Sequence, residues 1–487
     1  MRLTLYLILL SFAMSACNSL KDPELKPAYP EKWRNASSTN TSFTNNTHDA
    51  WWLVLNDAVL NETVTLAQKQ NLSIAQASER LIAARNISES VVAGQHPQVG
   101  FTAGPDNLAR ATLNSSGDTS SSSTSNFRTK GAYLAGFDLN WEIPLFGRQE
   151  SERKIANSDI SHATSGMQAI RVSITAEVVR TYFNLRAAQE KTQILSTQFT
   201  NLETLTSLHS GAVEAGLVST NEYEHYRSAV SESKHALINA HAQQEVAIQR
   251  LTVLCGITEP LDHWLEPQIN DQGNLLTLSQ VEFNPNPPGE LIRQRPDIMQ
   301  AEASVMNAAG QAGVAHADIY PRLSIEGALQ VAGSISHSRK TQYISVIAPA
   351  LRLPVVDWGL ARDVANARDA KLKEAVLGYR EAVLLAVEET ESALANYNAA
   401  QEHLNITKAE TEHWALEASR GQSAYQAGYI ARVDLLKTQS KLIEHNLQAV
   451  ESKLEWVTAF TLANKAQAKM RDNFYQQASY QPVNSDN

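Results

Sequence analysis

The chain writes one pattern twice. Ala187-Ala188-Gln189-Glu190 recurs as Ala399-Ala400-Gln401-Glu402, a shift of 212 residues. At the same shift, Glu214-Ala215-Gly216-Leu217-Val218 meets Gln426-Ala427-Gly428-Tyr429-Ile430. Trp141-Glu142-Ile143-Pro144-Leu145-Phe146-Gly147 resembles Leu351-Arg352-Leu353-Pro354-Val355-Val356-Asp357 at a shift of 210, and Gln95-His96-Pro97-Gln98-Val99 resembles Ile319-Tyr320-Pro321-Arg322-Leu323 at 224. The near-constant offset defines one unit: helix, strand pair, very long helix, glycine turn, long helix. Such a unit cannot bury itself alone, so two copies point to a symmetric assembly rather than an enclosed enzyme pocket.

The first residues read as an export signal. Arg2 is followed by a mostly apolar stretch from Leu3 to Met14, then Ser15-Ala16-Cys17. Small residues directly before a cysteine match a bacterial lipoprotein signal, with cleavage leaving Cys17 as a lipidated N-terminus. Asn18 is not the Asp that holds lipoproteins at the inner membrane in enteric bacteria, which favours outer-membrane sorting. The second cysteine, Cys255, lies in the apolar run Leu251-Thr252-Val253-Leu254 and reads as a small buried hydrophobe. A disulfide framework and a cysteine metal site are thereby excluded. The formal net charge of −10 disfavours a nucleic-acid partner. After the signal, no run of about 18 apolar residues suggests a spanning helix.

Residues 18–50 are rich in Pro, Asn, Ser and Thr and read as a tether, and Trp51-Trp52 opens ordered structure. Helical periodicity runs from Asn56 to Gly94. Strands are expected at about 97–110 and 127–142, then at about 321–332 and 343–353. Tyr133, Ala135, Phe137, Leu139 and Trp141 alternate with Leu134, Gly136, Asp138, Asn140 and Glu142, giving an apolar and a mostly polar face. Alternation alone does not separate a lipid-facing strand from one packed on a soluble core. Between the first two strands, the serine-rich stretch from Ser115 to Ser123 reads as a loop.

Long helices are expected at 148–209, 221–254, 360–420 and 430–470. Sixty residues of helix extend roughly 90 Å, which calls for a coiled coil or helical repeat. Leu436, Ile443, Val450 and Val457 form one heptad row of the last helix; Ser440, Leu447, Leu454 and Thr461 form the other. The segments from Gly211 to Gly216 and from Gly421 to Gly428 read as turns that reverse the chain at a tip far from the strands. The domain plan is then 1–16 signal, 17–50 tether, 51–260 first repeat, 261–290 linker at the equator, 291–470 second repeat and 471–487 tail.

Four strands cannot close a membrane barrel, since spanning barrels begin at about eight strands and leave no edge facing lipid. Either the strands pack as a soluble sheet, or several chains donate them to a shared barrel; three chains would give twelve.

Particular segments resemble a known family: Trp51-Trp52, the run from Asp138 to Arg148, the run from Pro288 to Ile298, Ala301-Glu302, Tyr320-Pro321, Tyr425-Gln426-Ala427-Gly428 and Val433-Asp434-Leu435-Leu436. From about residue 50 to 470, the chain is similar to the TolC-like outer membrane efflux proteins, in the lipoprotein branch typified by OprM and NodT. Pro144 stands where that family has Asp. The resemblance implies a mixed α and β membrane protein: a homotrimer sharing a twelve-stranded transmembrane barrel, with coiled-coil helices as a periplasmic α-barrel. It also implies docking on a periplasmic adaptor fed by an inner-membrane pump, expected to be of RND type. Small toxic molecules or drugs would pass through without bond chemistry. No cofactor is expected beyond a covalent, palmitate-type lipid on Cys17.

By the same resemblance, carboxylates one turn into the helix after Gly428 would ring the tunnel mouth. Asp434 matches one such position; the second is Lys437, which breaks the acidic pattern, and Val433 stands where some relatives have an aliphatic constriction. An Asp434–Lys437 pair at i, i+3 could lock neighbouring helices, or both could be solvated. Glu222 and His225 occupy the corresponding places in the first repeat. Gly216 and Gly428 are candidate adaptor contacts, because tip-to-tip packing needs close backbone approach; simple helix capping also accounts for them. Arg293, Arg295 and Asp297 read as structural, with Pro296 and Asp297 at a helix N-terminus. The histidines show no metal spacing, and no nucleophile or phosphate motif is present. Two alternatives remain: a type I-like protein secretion conduit, and a coiled-coil periplasmic scaffold lipoprotein, which would need neither alternating strands nor a serine-rich loop.

Overall fold

In a computed structural model, the described residues are 29–35, 50–105, 132–266, 285–334 and 342–467, with Pro23, Leu25 and Phe283. The lipidation candidate Cys17, the signal, most of the tether, the serine-rich loop, most of the linker and the C-terminal tail lie outside them.

A 3-10 turn at Trp51–Leu55 precedes α1 (Ala58–Gln70) and α2 (Leu72–Gly94). Strands β1 (Gln98–Pro105) and β2 (Ala132–Ile143) lead into α3 (Arg148–Glu214) and α4 (Thr220–Cys255). After α5 (Asp262–Leu265) and α6 (Pro288–Gln294), the order recurs: α7 (Pro296–Ala317), β3 (Arg322–Ser334), β4 (Gln342–Arg352), α8 (Leu360–Gln426) and α9 (Arg432–Ala466). Both α3 and α8 have 67 residues. No helix among the described residues is long and apolar enough to cross a membrane.

Two compact units divide the described residues. The first is built from Arg80–Thr164 and Gln300–Arg380 and holds the sheet. Its strands pair antiparallel in the order β1-β2-β3-β4. Register aligns like with like: Phe101 faces Phe137, and Phe137 faces Leu329. Since side chains alternate between faces, one face carries Val99, Phe101, Phe137, Leu329, Ile347 and Leu351. Every one of these is 52–77 % exposed. The opposite face carries Thr102, Asp138 and Gln330, joined by hydrogen bonds: Thr102 Oγ1 donates to Asp138 Oδ2 at 2.8 Å, and Gln330 Nε2 donates to Asp138 Oδ1. One face of the sheet is thus apolar and uncovered, and the other is mixed, with Thr102, Asp138 and Gln330 bonded to one another beside Leu134, Ile344 and Val346. In the same unit, Gly310 and Gly313 let α7 approach α3 closely. A Cβ at Gly310 would stand 2.7 Å from Ile155 Cγ1, and one at Gly313 2.2 Å from Ser151 Oγ.

The turn from strand to long helix is alike in both halves. Phe146 and Gly147 have φ of 53° and 75°, while Trp358 and Gly359 have 56° and 87°. These turns stand 212 residues apart, not the 210 suggested by matching the prolines of the two segments. Positive φ in a bulky residue is costly, so backbone conformation marks equivalence more strictly than residue identity.

The second unit comprises 29–79, Ser165–Met299 and 381–467. Trp51, Trp52, Tyr182, Phe183, Trp264, Trp456 and Phe460 centre its core. Three of these rings have their polar edge engaged: Trp264 Nε1 donates to Thr63 Oγ1 (3.1 Å), Trp456 Nε1 to Gln401 Oε1 (2.7 Å), and Tyr182 Oη to Asp57 Oδ2 (2.7 Å). Burial raises the Tyr182 phenol well above its usual range. Arg186 reaches the carbonyls of His263 and Glu266 and so ties α3 to α5. The heptad row Leu436, Ile443, Val450 and Val457 is buried throughout.

Periodicity misplaces three boundaries. The helix expected from Asn56 to Gly94 breaks at Asn71, whose side chain accepts from Ser73 N and Ile74 N and donates to Leu254 O at 2.8 Å. A fresh N-cap thus interrupts the run. Helix α3 also continues through Gly211 to Glu214, and α8 through Gly421 to Gln426, so each reversal begins several residues after the first glycine of its segment. A single glycine costs a helix only about 1 kcal/mol, which 67-residue packing absorbs.

Candidate functional site at the helix turns

In the second unit, α3 and α8 end alike. Gly216 N–H reaches Val213 O and Leu217 N–H reaches Ala212 O; Gly428 N–H reaches Tyr425 O and Tyr429 N–H reaches Ala424 O. This double bond pattern is the Schellman motif, and it requires a left-handed residue at the glycine. Gly216 and Gly428 supply it with φ of 69° and 76°. Nothing lies within 4 Å of where a Cβ would sit at either. Capping therefore accounts for the glycines by itself, and the space around them is open. The residues that follow, Leu217 and Tyr429, are 80 % and 84 % exposed.

Helix α4 then begins at Ser219, whose hydroxyl accepts from Glu222 N. Helix α9 begins at Ala431, with no side-chain cap. Val433 is half-buried and packs against the cluster of Leu202, Leu205 and Leu436. Asp434 is exposed in the first turn of α9. Among the described residues, Lys437 pairs with Glu222 rather than with Asp434: Lys437 Nζ lies 3.9 Å from Glu222 Oε1. At i, i+3 an Asp–Lys contact competes with any carboxylate on a neighbouring helix, and here the long lysine reaches across.

Glu222 Oε1 also lies 3.4 Å from His209 Nε2. His209, only 4 % exposed, directs Nδ1 to Leu205 O at 2.8 Å and packs its ring 4.3 Å from that of Tyr226. His225 is exposed and touches Tyr226 edge-on at 5.7 Å. Glu222 thus joins α3, α4 and α9. Sequence reading missed His209, since nothing in a lone histidine near a helix end announces a partner beyond the next turn. Leu217 and Tyr429 were open to discovery: each directly follows a matched glycine.

Arg295 is 5 % exposed and bonds Asp297, Glu389 and, at 2.7 Å, Ala466 O. Against desolvation, those two carboxylates hold its guanidinium above the usual range. Among the described residues, no three His, Cys, Asp or Glu side chains converge to hold a metal ion.

The chain thus has both a sheet with an exposed apolar face and very long helices that end in capped hairpin turns. The chain belongs to the outer membrane efflux protein family, whose pattern matches residues 63–257 and 288–462. It is 23 % identical over 428 residues to Nodulation protein T of Rhizobium leguminosarum bv. trifolii, covering 86 % of this chain and 87 % of that one. It is 22 % identical over 464 residues to the pyoverdine export outer membrane protein OpmQ of Pseudomonas putida, covering 95 % and 96 %. The Campylobacter jejuni CmeC outer membrane channel shares the fold, with a TM-score of 0.75 at 20 % identity over 93 % of this chain and 94 % of that one. The Pseudomonas putida relative is thus an outer membrane export protein and the Campylobacter jejuni neighbour an outer membrane channel.

Proposed function

We propose that this protein is the outer-membrane exit duct of a tripartite efflux system, passively conducting small toxic molecules or drugs to the exterior. The carrying observation is the sheet's exposed apolar face, from Val99 and Phe101 to Ile347 and Leu351, set against a face on which Thr102, Asp138 and Gln330 bond one another. Lipid is the solvent in which that arrangement is stable, because it covers apolar side chains and demands that every backbone group be paired. Strands β2, β3 and β4, of 12, 13 and 11 residues, are long enough to cross a bilayer when tilted.

On this reading, each chain is two copies of one unit, and three chains close a twelve-stranded barrel. Their long helices form the periplasmic part of the conduit, and Cys17 carries a lipid that holds it to the outer membrane. The capped turns at Gly216 and Gly428 meet a periplasmic adaptor fed by an RND-type pump. Val433, Asp434, Lys437 and Glu222 line the mouth. Mixed charge at Asp434 and Lys437 makes this mouth less purely acidic than its relatives' pattern would suggest.

Purified protein in detergent should have the mass of three chains and form ion-conducting pores in planar bilayers. A monomeric, non-conducting protein would sink the reading. Deleting the gene and scoring growth across drugs, dyes and metal ions would identify the cargo.

A further inference from the structure

His209 and Lys437 reach for the same atom. His209 Nε2 lies 3.4 Å from Glu222 Oε1, and Lys437 Nζ lies 3.9 Å from that oxygen. One carboxylate thus faces two basic side chains, one from α3 and one from α9. His209 and Glu222 belong to helices that the Gly216 turn joins, whereas Lys437 follows the Gly428 turn. The charged or titratable groups around His209 are Glu222 and Tyr226 from α4 and, across Glu222, Lys437 from α9. Exposed His225 stands behind the Tyr226 ring, and exposed Asp434 one turn before Lys437.

The other ring nitrogen determines what His209 presents to Glu222. Its Nδ1 stands 2.8 Å from Leu205 O, and a carbonyl only accepts, so Nδ1 carries a proton. In the neutral ring, Nε2 is then a bare lone pair. Opposite a carboxylate oxygen at 3.4 Å, that leaves two acceptors pointed at each other. A second proton, on Nε2, turns the contact into a charge-assisted hydrogen bond. Little water reaches the ring to relieve the neutral form, because His209 is buried and the Tyr226 ring packs 4.3 Å from it. The same proton neutralises the carboxylate that Lys437 reaches for, and it sets two like charges around one oxygen.

We infer that Glu222 exchanges partners with pH. Neutral His209 leaves Glu222 to Lys437, which holds α9 against α4; protonated His209 takes Glu222 and releases α9. The inference rests on the reading that these residues line the mouth of a conduit, and adds what unlocks it. Histidine changes charge between about pH 5 and 8, so the exchange falls in that range. Its direction follows from linkage. In the closed mouth Lys437 stands close and opposes a proton on His209; in the open mouth Lys437 has withdrawn. Opening therefore takes up protons, and acid favours it.

The test is single-channel recording of the full-length protein in planar bilayers at about pH 8 and about pH 5.5. Three weak pairs per trimer set the scale: open probability should rise at least about threefold on acidification, and no further than in Glu222→Ala. His209→Asn keeps a donor for Leu205 O but cannot titrate, so it should stay at the alkaline level at both values. Lys437→Met, at an exposed position, removes the tie itself; it should start high and change little. His225→Asn should keep the whole rise. An acid response that survives in His209→Asn or Lys437→Met, or is lost in His225→Asn, overturns the exchange and leaves the conduit reading standing. So does a native channel that ignores acid or closes in it. If the protein forms no pores at all, both fall together.

Discussion

The carboxylate of Glu222 and the ammonium of Lys437 meet at 3.9 Å although they come from opposite halves of the chain. With His209 at 3.4 Å from the same oxygen, the contact fastens the start of α9 to the start of α4 and the end of α3. Glu222 and Lys437 are both partly exposed, so their pair contributes only about 0.2–1 kcal/mol. In the proposed trimer three act together, up to about 3 kcal/mol, or on the order of a hundredfold in a closed-to-open ratio.

On the reading that this contact breaks as the mouth opens, Glu222→Ala should raise the open probability of single channels in planar bilayers by roughly three- to a hundredfold. Lys437→Ala should do nearly the same, and the double variant should add little, because both remove one contact. Fully additive effects would show that the two side chains act separately.

Gly428 separates capping from docking. Alanine at φ 76° should cost about 1–2 kcal/mol in thermal unfolding, since L-residues resist the left-handed region, while asparagine tolerates it. Gly428→Asn should thus fold nearly normally yet fail to restore drug tolerance to a deletion strain. Full restoration by Gly428→Asn would leave Gly428 as a cap and nothing more.

Arg295 is expected to hold its neighbourhood together chiefly through the buried carbonyl. Arg295→Met leaves Ala466 O without its donor, at a cost of about 1–3 kcal/mol, while Asp297 and Glu389, 48 % and 44 % exposed, turn to water. Arg295→Lys should recover only part, because an ammonium cannot span two carboxylates and a carbonyl. Guanidinium titrations in detergent would measure both; a loss below about 1 kcal/mol would contradict this role.

Cys255 offers a pH signature. Burial pushes its thiol up to about 12 from the ordinary thiol value near 9.0. A raised acid contributes stability fully below the unfolded value and loses it as pH rises through the folded one, so the window is pH 9 to 12. Across that window, unfolding midpoints of the native protein should fall faster than those of Cys255→Ala. At pH 8, alkylation of Cys255 should be roughly a thousandfold slower than that of a free thiol, until the protein unfolds. Rapid labelling of the folded protein would refute burial.

The chain by itself determined its periodicities. Leu436, Ile443, Val450 and Val457 lie on one side of any helix because seven residues make about two turns, and all four are buried. Phe137 and Leu139 share a strand face for the same local reason. Gly216 and Gly428 mark chain reversals because left-handed backbone strains every L-residue.

Only tertiary structure decided which side of the sheet stays uncovered, since alternation is identical for a strand facing lipid and one facing a core. It also decided that Asn71 starts a new helix, that glycines 211 and 421 stay helical, and that Lys437 answers Glu222 rather than Asp434. Asn71 and Lys437 find their partners, Leu254 and Glu222, more than a hundred residues away. Period reports direction along an element; it carries no information about what stands opposite.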